Sequence, residues 1–479
     1  MTETPRDGIG ASGRLRLRQT REVLRFPRPP APKAVPSARR HAQIFVIAFA
    51  ALVTIGTFLL ATPWTTVDGR DTPFIDALFT AVSAACVTGL VTVDTHDHWN
   101  RLGQLTILVL MQGGGLSFMV GASIVLQALR RGVSLRDALL LRDGEPALSL
   151  REALDLSRRI LRFTLVVEAV GAVALTVGFA TRLPLADAAW YGLFHSVSAF
   201  CNASFDLSGG FRSLTPYQDV IWLNVVVALL IQAGALSYLV LADVEKKRRW
   251  RPLTLDAKLV LVAHGCLVAA GAIAFLVNEW DRSLAAAPTW VKPMSALFQS
   301  VAARSGGFAV VNFAETSETT LFVFIGLMLV GGASGSTAGG VRLATVAVVV
   351  VAVMATLRGQ SEPQLFGRRL ASSLVFRAMA VAVLFGLAHF AATLALTLSE
   401  NRFGDADLSF IALMFEAASA LATDGLSTGI TPSLTVAGKL ILCATMFLGR
   451  VGPLTVVYAL QQRQRPTRYR LPESPVRIG

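Results

Sequence analysis

Four triplets along the chain carry residue types suited to coordinating a dehydrated cation: Val87, Thr88 and Gly89; Asn202, Ala203 and Ser204; Ser305, Gly306 and Gly307; Thr423, Asp424 and Gly425. Each lies in a polar or glycine-rich kink that ends a short apolar segment. The four segments, 77–90, 192–205, 296–308 and 413–426, read as variants of one pattern. Backbone carbonyls such as those of Val87 and Thr88 can replace hydration water around an ion, with Gly89 free to take dihedrals that other residues resist. A half-helix running toward its kink also aims the negative pole of its macrodipole at the guest. The chemistry expected is cation coordination, with no bond made or broken.

Composition says what must hold these kinks together. With 53% hydrophobic and 16% charged residues among 479, the chain cannot be a soluble globule with a polar skin. It reads as an all-α polytopic membrane protein. Apolar runs long enough to span occur near 42–62, 103–129, 160–181, 220–242, 257–278, 320–354, 371–398 and 437–460, eight expected transmembrane helices. Between each odd and even span lies one kinked segment whose apolar part, about 12 to 15 residues, is too short to cross and reads as a re-entrant half-helix. Recurrence at roughly 100 to 120 residues, far longer than a solenoid period, points to fourfold duplication of a span, pore-helix, span unit around one pore. In hydrocarbon, non-helical backbone persists only where it lines water or coordinates a guest.

The expected division is a basic, mostly disordered tail at 1–40, repeat 1 at 41–130, a link at 131–159, repeat 2 at 160–245, repeat 3 at 246–356, repeat 4 at 357–462 and a tail at 463–479. Arg and Lys concentrate in both tails and in the links between units, for example Arg130, Arg131, Lys246 to Arg249, Arg368 and Arg369. Asp68, Asp94, Asp97, Asp206 and Glu315 fall in the connections within units. The positive-inside rule then makes the tails and links cytosolic, so the net charge of +13 reflects topology rather than a nucleic-acid surface. Leu15 to Phe26 could equally form an amphipathic helix on anionic lipid.

Other residue types offer less. Cys86, Cys201, Cys266 and Cys443 lie in apolar or re-entrant stretches without zinc spacing and read as packing residues. His96 and His98 beside Asp94 and Asp97 read as a solvated outer loop before a metal site. A membrane-embedded enzyme would need a catalytic cluster at span depth, and Glu168, His195, His264 and Glu416 fall in unrelated segments. An alternating-access carrier would show two inverted halves rather than four parallel units.

At the triplets the chain resembles the pore-forming subunit of the Trk/Ktr/HKT superfamily of potassium transporters, most closely its KtrB branch, from about residue 41 to 462. The resemblance implies a selectivity filter built from one kink per unit. It also implies potassium uptake across a bacterial cytoplasmic membrane with both termini inside, no covalent cofactor, a homodimer, and a cytosolic KtrA-like nucleotide-binding ring as regulator. Gly89, Gly307 and Gly425 fall on the filter glycines, whereas Ser204 stands where the family usually has glycine. A sodium-permeable or sodium-coupled transporter is therefore the alternative. Asp424 is also unusual: it either faces the axis or turns away to pair with Arg304, and the cost of an unpaired buried charge favours pairing. The stretch Gly331, Gly332, Ala333, Ser334, Gly335, Ser336, Thr337, Ala338, Gly339 and Gly340 interrupts an apolar run and disfavours a continuous helix. By resemblance it is an intramembrane gating loop. Arg450, inside a span, is a functional candidate whose expected partners are that loop's carbonyls. Small residues at 111–117 and 231–237 read as helix packing.

Overall fold

The computed structural model describes residues 37–131, 150–360, 362–404 and 408–462. Almost all of the two expected tails, the 15–26 amphipathic segment and most of the 131–159 link lie outside the described residues.

The protein is helical throughout its apolar length. The first unit consists of α1 (Ser37–Leu60), the short α2 (Phe74–Ala85), the single turn α3 (Thr95–His98) and α4 (Arg101–Arg131). The second has α5 (Leu150–Phe179), the short α6 (Leu185–Cys201), α7 (Ile221–Ala235) and α8 (Tyr238–Lys247). The third has α9 (Leu255–Glu279), the short α10 (Lys292–Ala302), α11 (Glu318–Leu329) and α12 (Leu343–Leu357). A two-stranded hairpin, β1 (Gln364–Leu365) and β2 (Arg368–Arg369), precedes the fourth: α13 (Ser372–Phe403), the short α14 (Phe410–Ala422) and α15 (Val436–Gln462).

Of the eight expected spans, some are continuous and some are broken. Among the described residues, 101–121, 154–179, 255–279 and 372–403 are long and apolar enough to cross unaided. The span expected at 220–242 is instead α7 and α8, bent by 98°. The bend sits at Ser237, a buried serine with φ 70 whose hydroxyl caps the new helix at Leu239 N–H. The run at 320–354 is split into α11 and α12 by the 331–340 stretch, where glycine and hydroxyl residues cannot sustain a helix.

Three of the four short helices, α2, α6 and α10, open alike. Pro73 and Pro184 precede α2 and α6, and Pro293 opens α10, where a missing N–H costs nothing. Asp76 and Asp187 lie in first turns, where the macrodipole favours negative charge. Each carboxylate also meets a cation from the closing helix of the preceding unit: Arg101 bonds Asp187 at 2.5 Å, and Lys439 bonds Asp76 at 2.8 Å. The second pair is 13% exposed on either side and joins the last unit back to the first. Phe313 against Phe415, ring centroids 5.7 Å apart, marks the same junction between units three and four. Glycines let the closing helices approach the loops: a methyl at Gly114 would lie 1.9 Å from the Ala85 carbonyl oxygen, and one at Gly234 equally close to that of Phe200.

Candidate functional site

All four triplets leave their helices through left-handed backbone. The first positions, Val87, Asn202, Ser305 and Thr423, have φ of 50, 57, 77 and 48. The third positions, Gly89, Ser204, Gly307 and Gly425, have φ of 92, 63, 56 and 102. A left-handed turn thus recurs four times, one residue shorter in the third copy, and serine is strained where three glycines are not. Serines one and a half turns back hold the loops: Ser83 Oγ accepts from Gly89 N–H and Ser419 Oγ from Gly425 N–H, both at 3.0 Å, while Ser198 Oγ donates to the Phe205 carbonyl at 2.7 Å.

The four loops meet at Ser204. Its hydroxyl lies 2.8 Å from the Gly306 carbonyl oxygen and 2.6 Å from that of Asp424, reaching the third and fourth loops. A methyl added at Gly89 would fall 2.3 Å from Ser204 Cβ, and one at Gly307 2.0 Å from Ser204 Oγ. At Gly425 it would lie 2.2 Å from the Thr88 carbonyl oxygen. A methyl at any of the three glycines would thus run into the Ser204 side chain.

Asp424 corrects the sequence reading. Its backbone carbonyl meets Ser204, but Asp424 Oδ1 accepts from Ser305 N–H at 2.5 Å and Oδ2 from Leu426 N–H at 3.4 Å. The carboxylate therefore braces the third loop and does not pair with Arg304. That arginine, 1% exposed, has its Nη1 2.6 Å from His264 Nδ1 and donates to the Gly331 carbonyl at 3.0 Å. A guanidinium can satisfy itself on neutral acceptors, an outcome that charge matching in the sequence does not suggest.

On one side the third positions open onto a cavity of about 510 Å³, also lined by Asp94, Asp206, Arg212 and Glu315. Burial pushes the Asp206 carboxyl up to about 6, against a hydrogen bond from Ser208 N–H and with Asp94 nearby. Asp94 caps α3 and accepts from Phe211 N–H, and Asp97, held below the usual range first by its hydrogen bond with His96, accepts from Gly210 N–H. These groups thus serve loop architecture, and no group of three His, Cys, Asp or Glu with metal-holding geometry occurs among the described residues.

On the other side three of the first positions, Asn202, Ser305 and Thr423, rest on the 331–340 loop. Asn202 Nδ2 donates to Thr337 Oγ1 at 2.7 Å, Thr337 Oγ1 to the Phe200 carbonyl at 3.1 Å, and Gly339 N–H to Ser305 Oγ at 3.1 Å. A methyl at Gly339 would lie 2.1 Å from both the Ala422 carbonyl oxygen and Thr423 Oγ1. Gly331 and Gly332 start the loop, with Gly331 N–H donating to the Val341 carbonyl, and the backbone turns at Gly335 and Gly340, whose φ are 81 and 68. Ser336 Oγ donates to the Ala333 carbonyl at 2.6 Å. Arg450, 1% exposed, donates to the Thr337 carbonyl at 2.6 Å and to that of Gly114 at 3.2 Å. Arg342, not singled out in the sequence, donates to the Ala338 carbonyl at 2.5 Å. The signal was present: it too is an arginine within an apolar run.

Cys201 and Glu168 are brought together behind the second loop, with Gln112 donating to Glu168 at 2.9 Å.

Known proteins show the same outline. The TrkH family, described as cation transport protein, matches residues 22–464. The potassium/sodium uptake protein NtpJ of Enterococcus hirae is 35% identical over 440 residues, covering 91% of this chain and 97% of that protein. The Ktr system potassium uptake protein B of Bacillus subtilis is 33% identical over 439 residues, covering 91% and 96%. The crystal structure of the potassium transporter TrkH from Vibrio parahaemolyticus superimposes with a TM-score of 0.69 at 16% identity, over 91% of this chain and 87% of that one.

Proposed function

The chain belongs to the TrkH family of cation transport proteins, and from that premise we propose that its four loops form a selectivity filter through which potassium enters the cell. It is a multi-pass membrane transporter and not an enzyme. The observation that carries the filter reading is the meeting of four left-handed loops at Ser204, with carbonyl oxygens from the third and fourth loops within 2.8 Å of one hydroxyl. Backbone at this depth is stable only around water or a guest, and carbonyl dipoles choose cations. In this reading four span, pore-helix, span units surround one pore, and the cavity beside Asp206 is the outer vestibule.

The 331–340 loop then closes the pore beneath the filter, held by Arg450 and by Asn202 and Ser305 of the filter itself. Opening requires those bonds to break. In this reading the arginine-rich links and both termini face the cytosol, as the positive-inside rule favours, and the membrane is the cytoplasmic one. A homodimer and a cytosolic nucleotide-binding ring remain partners by family resemblance.

Ser204 supports a second reading of ion choice. Its hydroxyl engages two carbonyls that would otherwise face an ion, which narrows the site and favours sodium passage beside potassium. Rescue of a potassium-uptake-deficient bacterium at low potassium, paired with rubidium and sodium flux in liposomes, tests both. Rescue with rubidium flux is expected; flux of neither ion in correctly inserted protein removes the filter reading.

A further inference from the structure

Aligning the re-entrant helices on their buried phenylalanines, Phe79, Phe194, Phe298 and Phe415, puts a polar residue next in every copy: Thr80, His195, Gln299 and Glu416. None is more than 1% exposed. Three of them make the same bond. His195 Nε2 accepts from Leu207 N–H at 3.4 Å, Gln299 Oε1 from Val310 N–H at 2.9 Å, and Glu416 Oε1 from Thr428 N–H at 2.9 Å. Each of those N–H groups stands three residues beyond the third triplet position of its own loop, after Ser204, Gly307 and Gly425. His195 Nδ1 lies 2.8 Å from the Tyr191 carbonyl oxygen, which assigns the proton to Nδ1 and leaves Nε2 as acceptor. Imidazole, amide and carboxylate share little except an acceptor at the end of a long side chain, so the common element is the bond and not the packing.

The first unit lacks it. Thr80 has no such reach, and neither its hydroxyl nor that of Thr92, the equivalent downstream residue, has a hydrogen-bond partner.

We propose that His195, Gln299 and Glu416 are positioning residues for ion selection, each tying the outgoing arm of its loop to its own re-entrant helix and so fixing where the triplet carbonyls stand. The first loop, without a tether, is the compliant one. The proposal rests on the reading of the four loops as the filter. Discrimination between potassium and sodium depends on the number and placement of carbonyl dipoles, so releasing one arm alters ion choice before it alters insertion.

The test is the potassium-to-sodium flux ratio of purified protein in liposomes. Gln299→Leu and His195→Phe remove the acceptor and should shift the ratio by about threefold to tenfold, the range set by losing one buried hydrogen bond. His195→Gln and Glu416→Gln keep an acceptor and should retain the native ratio. Thr80→Gln supplies the missing tether and should shift the ratio opposite to Gln299→Leu, which keeps the idea testable if the apolar variants fail to fold. An unchanged ratio in folded Gln299→Leu, or in Thr80→Gln, overturns the proposal. Gly307→Ala, run alongside, separates the two failures: if it alters or abolishes flux while the tether variants do nothing, only the positioning role is lost, whereas no effect from any of them removes the filter reading as well.

Discussion

The four triplets and the 331–340 loop lie against one another, yet they are held by different means. The triplets hang from their own short helices by backbone bonds, to which Ser83 and Ser419 add bonds to Gly89 and Gly425, with Ser204 and the Asp424 carboxylate tying neighbouring triplets to one another. The loop beneath has glycines at 331, 332, 335, 339 and 340, and several of its ties come from other units: Asn202, the Gly234 and Ala235 carbonyls, and Arg450. Local ties keep a geometry constant, whereas ties borrowed from other units let a segment leave without unfolding its own helix. That contrast is the one the proposed filter and gate would need, an upper region that stays and a lower one that moves.

Breaking the upper region should have the largest effect. Gly307→Ala places a methyl 2.0 Å from Ser204 Oγ and 2.1 Å from the Asp424 carbonyl oxygen at φ 56, so the loops must separate. Left-handed strain alone costs about 1–3 kcal/mol, and rubidium uptake in liposomes should fall by about tenfold or more. Loosening the lower region should do the opposite. Arg450→Ala removes the charge-assisted bonds to Thr337 and Gly114, and should raise uptake or leak by about fivefold; unchanged flux with normal insertion takes Arg450 out of the gate.

These two regions were not equally legible in the sequence. The triplets stand out because polar kinks in an apolar background have few alternatives to lining a pore, and the 331–340 break is visible in its glycines. The bend at Ser237 was not, since Ala233, Gly234, Ala235 and Leu236 all tolerate a helix and the left-handed turn depends on how the segment packs. Asp424 was misjudged for a related reason: proximity of loops does not say which way a carboxylate points, and backbone N–H of Ser305 proved the nearer donor. The tethers from His195, Gln299 and Glu416 could have been read by aligning the four copies on phenylalanine, but their partners become evident only in the folded loops.

Smaller effects sharpen the contrast. Ser204→Gly frees the Gly306 and Asp424 carbonyls while leaving the lower loop intact, and should raise the potassium-to-sodium flux ratio by about threefold. An unchanged ratio would confine Ser204 to bracing. The smallest change concerns the vestibule. Burial raises the Asp206 carboxyl to about 6, so it is charged above that pH and neutral below it. Acidifying the outer medium through pH 6 should lower uptake at limiting potassium by about twofold, and Asp206→Asn should flatten that dependence.

The central claim is that a monovalent cation sits, stripped of water, where the four loops meet. Anomalous scattering from crystals grown with thallium or rubidium tests it directly. The account predicts a peak bounded by the carbonyl oxygens of all four triplets and adjoining Ser204; ordered ions only in the vestibule or along other helices, with none between the triplets, would contradict it.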